Sequence, residues 1–311
     1  MSLALPRPGD RLAALLPVFR VARFVLAVGL VIAMGVVAVR YVRFDALTWW
    51  LLVPALAAAL VWWTLLARGW AILASGRTTR RDMGQWCRTQ VLRYLPGGIW
   101  APTSRVVLVG GSAVDRLATV AAENVVALCA ALSIGGVAMA LGGRPAWAAF
   151  ALAPVVPVVA ARLASGRTRL DQARLARATA NSLAAFAGYV AAAVLVQAAV
   201  SGWHEPLLVA GAAGIAWAVG LVVVFTPGGL GARELAYAAL LAPSFAQADL
   251  AAAAVVMRAL TIAAELVILV AVGRPAAGGQ PSANRSIGEE SAAAAIPDAR
   301  GRPLAHKVPG A

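Results

Sequence analysis

The chain has 311 residues, 61% of them hydrophobic and only 13% charged, where soluble domains carry about 25% charged residues; this excludes an ordinary water-soluble domain. The formal net charge is +14, but the basic residues lie mostly in short stretches between apolar blocks, where they set orientation in a bilayer and do not form a nucleic-acid surface. Cys87 and Cys129 read as packing residues: two cysteines and two histidines are too few and too scattered for a disulfide framework or a metal centre.

Residues 1–20 are basic, with Arg7, Arg11 and Arg20, and no small-residue cleavage site follows the first apolar run. They read as a cytoplasmic N-terminal segment, followed by a membrane domain over 21–272. Apolar runs near the length needed to cross the hydrocarbon core as a helix, about 20 residues, fall at 21–39, 46–67, 117–141, 146–163, 179–200, 205–225 and 249–272. Ala/Leu/Val blocks this long argue against the alternating ten-residue segments of a β-barrel. The expected fold class is therefore an all-α polytopic membrane protein of seven to eight transmembrane helices. The stretch 68–81 carries Arg68, Arg77, Arg80 and Arg81, and 162–177 carries Arg162, Arg167, Arg169, Arg174 and Arg177. Both read as cytoplasmic loops, on the same side as the N-terminus.

An even number of crossings must separate those loops, so 82–112 is expected to dip into the bilayer and return. An amphipathic approach over 83–94 leads to Pro96-Gly97-Gly98, and a short limb follows over 99–109. A second triplet, Pro227-Gly228-Gly229, follows the span at 205–225 and precedes a short helix over 230–241. The order of two spans, a broken segment and a span occurs twice, which reads as an internal repeat. Residues 273–311 are polar and rich in Gly, Pro, Ala and Ser, the composition of a disordered tail. Tryptophans 49, 50, 62, 63, 70, 86 and 100 read as interfacial anchors.

Proline lacks a backbone donor and glycine frees the backbone, so each triplet ends one helical limb and starts another. The freed groups cannot face lipid and must line protein or a wet cavity. Paired Gly/Pro-interrupted segments in the two halves of a transporter point to its binding site, although kinks in packed helices give the same pattern. The limbs starting after Gly98 and after Gly229 (with Gly231 just beyond) are expected to offer free N–H groups to a phosphate or carboxylate. Near the breaks lie Arg93, Arg105, Arg233 and Arg258, with Glu123, Glu234 and Glu265. Charges inside a membrane domain face the bundle interior and find partners, so a network is expected between the second broken segment, the span at 249–272 and the first broken segment. Four arginines against three glutamates leave one positive charge over, which suits an anionic headgroup; ion pairs that simply hold the bundle together are the alternative. No HExxH, GxSxG, P-loop or cysteine cluster is present, so neither an enzyme nor a cofactor is expected.

The stretch YLPGGIWAPTSR at 94–105, Glu123, TPGGLGARE at 226–234 and Arg258 resemble the flippase-like membrane family that includes the transmembrane region of lysylphosphatidylglycerol synthases. The resemblance implies a multi-pass protein of the bacterial cytoplasmic membrane with two re-entrant broken segments. It also implies movement of a charged lipid or lipid-linked intermediate between leaflets. The expected partner is an anionic, aminoacylated or polyprenyl-phosphate-linked lipid, with a membrane glycosyltransferase or a lipid synthase supplying it. Glu123-Asn124 stands where many relatives have Glu-Arg, and Trp100 where glycine is common. The synthases carry a soluble aminoacyl-transfer domain after the membrane part, whereas a short tail follows here, so synthesis of the aminoacyl lipid is not expected.

Overall fold

The computed structural model describes residues 36, 40–43, 45–94, 100–163, 170–223 and 227–272. The expected span at 21–39, the triplet Pro96-Gly97-Gly98 and the tail at 273–311 therefore lie outside the described residues, apart from residue 36. All regular structure among the described residues is helical. We number the α-helices α1 (Leu52–Ser75, entered by a 3-10 turn at Trp49–Leu51), α2 (Arg80–Gln90), α3 (Trp100–Leu108), α4 (Ala113–Leu141), α5 (Val155–Leu163), α6 (Gln172–Ser201), α7 (Pro206–Val222), α8 (Ala232–Leu241) and α9 (Gln247–Val272). Four segments are long and apolar enough to cross a membrane: Trp49–Ser75, Ala113–Leu141, Gln172–Ser201 and Gln247–Val272. A helical membrane protein follows from these four.

Several expected boundaries move, for local reasons. The stretch 68–81 is not a loop, because α1 continues to Ser75 and leaves only 76–79 as the connection. Gly76 ends the helix in the left-handed region, its N–H donating to the Ile72 carbonyl, as glycine can at a C-terminus. Arg174 and Arg177 likewise lie on α6, which begins at Gln172 because the Asp171 side chain caps it by accepting from the Arg174 N–H. Helix α4 begins at Ala113, with Ser112 and Asp115 exchanging a reciprocal capping box. The expected continuous helix at 146–163 is instead a 3-10 helix, Pro145–Leu152, followed by α5. Pro154 falls at the junction, and a proline there can neither donate to the preceding turn nor clear it sterically.

The long helices pack through small residues. Helices α1 and α6 are antiparallel, with the Thr48 N–H on the Ala199 carbonyl at one end and the Asn181 side chain on the Leu65 carbonyl further along. Helices α1 and α9 are parallel: Trp63 Nε1 on α1 donates to the Thr261 carbonyl at 3.1 Å, and Arg80, at the start of α2 beyond the end of α1, donates to the Ala271 carbonyl further along α9. Helices α4 and α7 cross at Gly135 and Gly214, where a Cβ on Gly214 would lie 2.8 Å from Gly135 Cα and 2.9 Å from the Ala131 carbonyl oxygen. Small residues at such crossings let backbones meet, which supplies packing that the hydrophobic effect cannot supply within lipid. A buried aromatic cluster joins α1, α2, α6 and α7: Trp63 on Trp86 (5.4 Å), Trp62 on Trp63 (4.9 Å) and on Tyr189 (4.8 Å), Phe186 on Tyr189 (6.1 Å) and on Trp217 (4.5 Å).

The Gly135–Gly214 contact gives the first test. Gly214→Val is expected to lower the thermal midpoint of the purified protein by forcing α4 and α7 apart, a cost of about 1–3 kcal/mol. Gly110→Ala, where a Cβ would meet nothing within 4 Å, should leave the midpoint unchanged. Intrinsic tryptophan fluorescence during heating measures both.

Candidate functional site

Two short segments bring the expected charges together. Thr79 caps α2 by accepting from the Asp82 N–H, and α2 then buries Trp86, Cys87, Thr89 and Gln90 on one face. A 3-10 turn, Val91–Tyr94, continues it and carries Arg93. At the other break, the turn Pro227–Gly229 leads into α8, with Gly228 at φ 58° and Gly229 at φ 74°. Gly229 is needed for two reasons: its φ lies in the left-handed region, and a Cβ there would come within 2.7 Å of the Gly220 carbonyl oxygen on α7. A Cβ on Gly220 would press to 3.2 Å from Arg233 Cβ, so this glycine lets the Arg233 side chain lie against the α7 backbone.

Three of the four arginines are paired. Arg93 bonds Glu265 at 2.7 Å, and the Tyr94 hydroxyl donates to the same carboxylate oxygen. Arg105 Nη1 donates to both oxygens of Glu123 while its Nε donates to Thr89, and Trp86 Nε1 also donates to Glu123 at 2.6 Å. Arg258 bonds Glu234 at 2.9 Å. These pairs tie the turn after α2 to α9, α3 to α4, and α8 to α9. Arg258 and Glu265, two helical turns apart on α9, pair with other elements and not with each other.

Arg233 is the remaining charge. Among the described residues its Nε has no hydrogen-bond partner and the guanidinium makes no ion pair. Its guanidinium carbon is 5.6 Å from the centroid of the Trp217 ring, a cation–π contact that offsets only part of a lost solvation shell. The surplus counted in the sequence thus falls on one identified residue.

A cavity of about 150 Å³ lies beside it, lined by Arg93, Arg105, Arg233 and Glu123, by Gly228 and Gly229, and by Trp62, Trp63, Trp70, Trp86 and Trp217. Gln90, Asn124 and Ser182 add neutral polar groups to its wall. Among the described residues, four of the side-chain atoms lining residues bury without a hydrogen-bond partner are Trp62 Nε1, Trp70 Nε1, Arg93 Nε and Arg233 Nε. All four are donors, in a setting where buried polar groups are ordinarily satisfied. A smaller cavity of about 40 Å³ shares Arg233 and is lined also by Glu234, Arg258, Tyr189 and Tyr237. The larger cavity follows α1 from Trp62 to Leu73, and the smaller follows α9 from Ala253 to Thr261. Because Trp63 is level with Thr261 on parallel helices, the two cavities stack along the bundle with Arg233 between them.

Two expectations change. At the start of α8 the Gly231 N–H is already taken, donating to Glu234 Oε2 at 2.8 Å, so the protein supplies its own carboxylate there. The tryptophans do not all form a belt: Trp62, Trp63, Trp70 and Trp86 are buried at 1–2% exposure, whereas Trp49, Trp50 and Trp100 are 40–69% exposed. Positions 62, 63, 66 and 70 share one helical face, a spacing from which a buried aromatic wall could have been read. Thr89, Tyr94 and Trp217 are not distinguished as site residues by the local sequence pattern, and Asn124 stands out there only as a departure from the Glu-Arg of the resembled family. Arg258 lines the smaller cavity and not the larger, and Glu265 lines neither.

Compared with protein-family models, curated proteins and solved structures, the chain matches none.

Glu123→Gln tests the Arg105 pairing. It leaves a guanidinium at 4% exposure without its counter-charge and is expected to destabilise by about 3–5 kcal/mol. The double variant with Arg105→Gln should recover part of that loss. Thermal unfolding of the three proteins decides it, and a single variant as stable as the parent would contradict the pairing.

Proposed function

We propose that this chain is a flippase-like membrane carrier, and not an enzyme, that moves a lipid with an anionic headgroup between leaflets, the headgroup seating in the larger cavity. The observation that carries this reading is Arg233, a half-buried guanidinium without a carboxylate at the junction of two cavities, its Nε buried and unbonded. A cation in that setting is stabilised by an anion brought by a ligand. Arg93 and Arg105 add donors around the same space, with Glu265 and Glu123 holding them in position. Arg258 and Glu234 form the far wall below Arg233. The stacking of the two cavities supports a path along the bundle on which Arg233 is the common contact.

The finer topology belongs to this proposal. It has seven to eight crossings, with two re-entrant Pro-Gly-Gly segments related by an internal repeat, in a bacterial cytoplasmic membrane with the N-terminus inside. The resemblance of TPGGLGARE at 226–234 and YLPGGIWAPTSR at 94–105 to the membrane region of lysylphosphatidylglycerol synthases supports it. A polyprenyl-phosphate-linked sugar, handed over by a membrane glycosyltransferase, is a cargo of the same chemistry. A second reading, a scaffold that binds anionic lipid without moving it, is favoured by one observation: Arg93, Arg105 and Arg258 already have carboxylate partners.

Reconstitution into liposomes with fluorescent phospholipids and polyprenyl-phosphate lipids tests the carrier reading through the fraction that becomes accessible in the opposite leaflet. Protein-dependent movement is expected, and Arg233→Ala should abolish it while the protein still inserts. Movement that persists in Arg233→Ala removes Arg233 from the site, and binding without movement favours the scaffold.

A further inference from the structure

The walls of the larger cavity select among charged headgroups. Glu123, the carboxylate that lines it, already accepts from Arg105 through both oxygens and from Trp86. Glu234, at the smaller cavity, is likewise engaged by Arg258 and by the Gly231 N–H. Among the described residues, each carboxylate lining the two cavities already has a protein donor on both of its oxygens. Four of the five lining indoles, whose faces would attract a cation, already have the protein's own guanidinium groups near them: Arg93 over Trp63 at 4.6 Å, Arg105 near Trp70 and Trp86 at 5.6 and 5.4 Å, Arg233 near Trp217 at 5.6 Å. An incoming ammonium would meet like charge behind those rings.

What the wall offers is donors. The orphaned nitrogens of Trp62, Trp70, Arg93 and Arg233 need acceptors, and one net positive charge needs one negative charge. Gln90, Asn124 and Ser182 are neutral and suit hydroxyl groups, since each can both donate and accept.

Resting on the carrier reading above, we infer that the cargo headgroup carries a single phosphodiester and hydroxyl groups but no amine. Phosphatidylglycerol and a polyprenyl-phosphate hexose both have this chemistry. Phosphatidylethanolamine and an aminoacylated phosphatidylglycerol do not, because each brings an ammonium for which the wall, among the described residues, has no unengaged carboxylate. This narrows the cargo relative to the family the sequence resembles, whose synthases make an aminoacyl lipid.

Asn124 offers a variant that keeps shape and changes charge. Asn124→Asp is close to isosteric; it gives up the Nδ2 bond to the Val120 carbonyl and places a carboxylate in the cavity wall, cancelling the surplus.

The test is binding of short-chain phosphatidylglycerol, a short polyprenyl-phosphate hexose, short-chain phosphatidylethanolamine and short-chain lysyl-phosphatidylglycerol to the full-length protein, read from tryptophan fluorescence. At least one of the two amine-free lipids should bind about tenfold or more tighter than both amine-bearing ones, the scale set by one unpaired buried polar group. Which of the two binds tighter identifies the source of the phosphodiester. Asn124→Asp should shrink that preference to within about threefold, and Arg233→Gln should weaken the amine-free lipids selectively. Equal or tighter binding of an amine-bearing lipid overturns the inference, as does a preference that Asn124→Asp leaves intact, or no binding of any of the four. Selective binding without movement in liposomes sustains the headgroup assignment and removes only the carrier reading.

Discussion

A guanidinium held inside an apolar bundle without a carboxylate is the constraint around which this structure is arranged. Arg233 is half-buried, with its Nε shut off from water and unbonded, and the Trp217 face nearby returns only a modest attraction. The other three arginines at the site are bonded to glutamates on different elements, so none of those carboxylates is free to turn towards Arg233. The residue is kept where it is by covalent neighbours and by shape. Glu234, next to it in the chain, is drawn to Arg258 and to the start of its own helix, and Gly220 leaves room for the Arg233 side chain against α7.

The same arrangement explains why the turn before α8 has its particular sequence. Pro227, Gly228 and Gly229 form a tight turn in which both glycines have positive φ, and Gly229 combines a left-handed backbone with contact against the Gly220 carbonyl, so no other residue fits without moving α7. The turn Val91–Tyr94 packs near it: a Cβ on Gly228 would lie 3.8 Å from the Tyr94 ring. The turns Val91–Tyr94 and Pro227–Gly229 thus meet at one place, and the tryptophans of α1, α2 and α7 close the space around them. Ion pairs between α2's turn and α9, α3 and α4, and α8 and α9 hold the walls apart from one another at defined separations. An apolar core could not do this, because its side chains would collapse into the space.

Composition and charge position made much of this legible. Runs of apolar residues located α1, α4, α6 and α9 because lipid-facing helices need length and greasiness above all, and the Pro-Gly-Gly triplet marked where α8 begins. Boundaries moved wherever a helix ran on past its apolar part: Arg68 on α1, and Arg174 and Arg177 on α6, belong to helical turns, which charge alone reads as loop. Continuity across 146–163 was overestimated because apolar composition does not register that Pro154 interrupts a hydrogen-bond ladder. At the site, the count of four arginines against three glutamates was visible in the sequence, but the identity of the unpaired one was not. Pairing depends on which helices meet, and Glu234 adjoins Arg233 in the chain while bonding Arg258 in space. The buried tryptophans were misassigned for the same reason, since an indole suits both a membrane interface and a cavity wall, and only packing separates the two.

The claim at the centre is that Arg233 takes its counter-charge from a lipid. Native mass spectrometry of the protein extracted in mild detergent, compared with Arg233→Gln, tests it most directly. A retained phosphodiester lipid, about one per chain, in the parent and its loss from Arg233→Gln is the result this account predicts. The same lipid retained at the same occupancy in both proteins would contradict it.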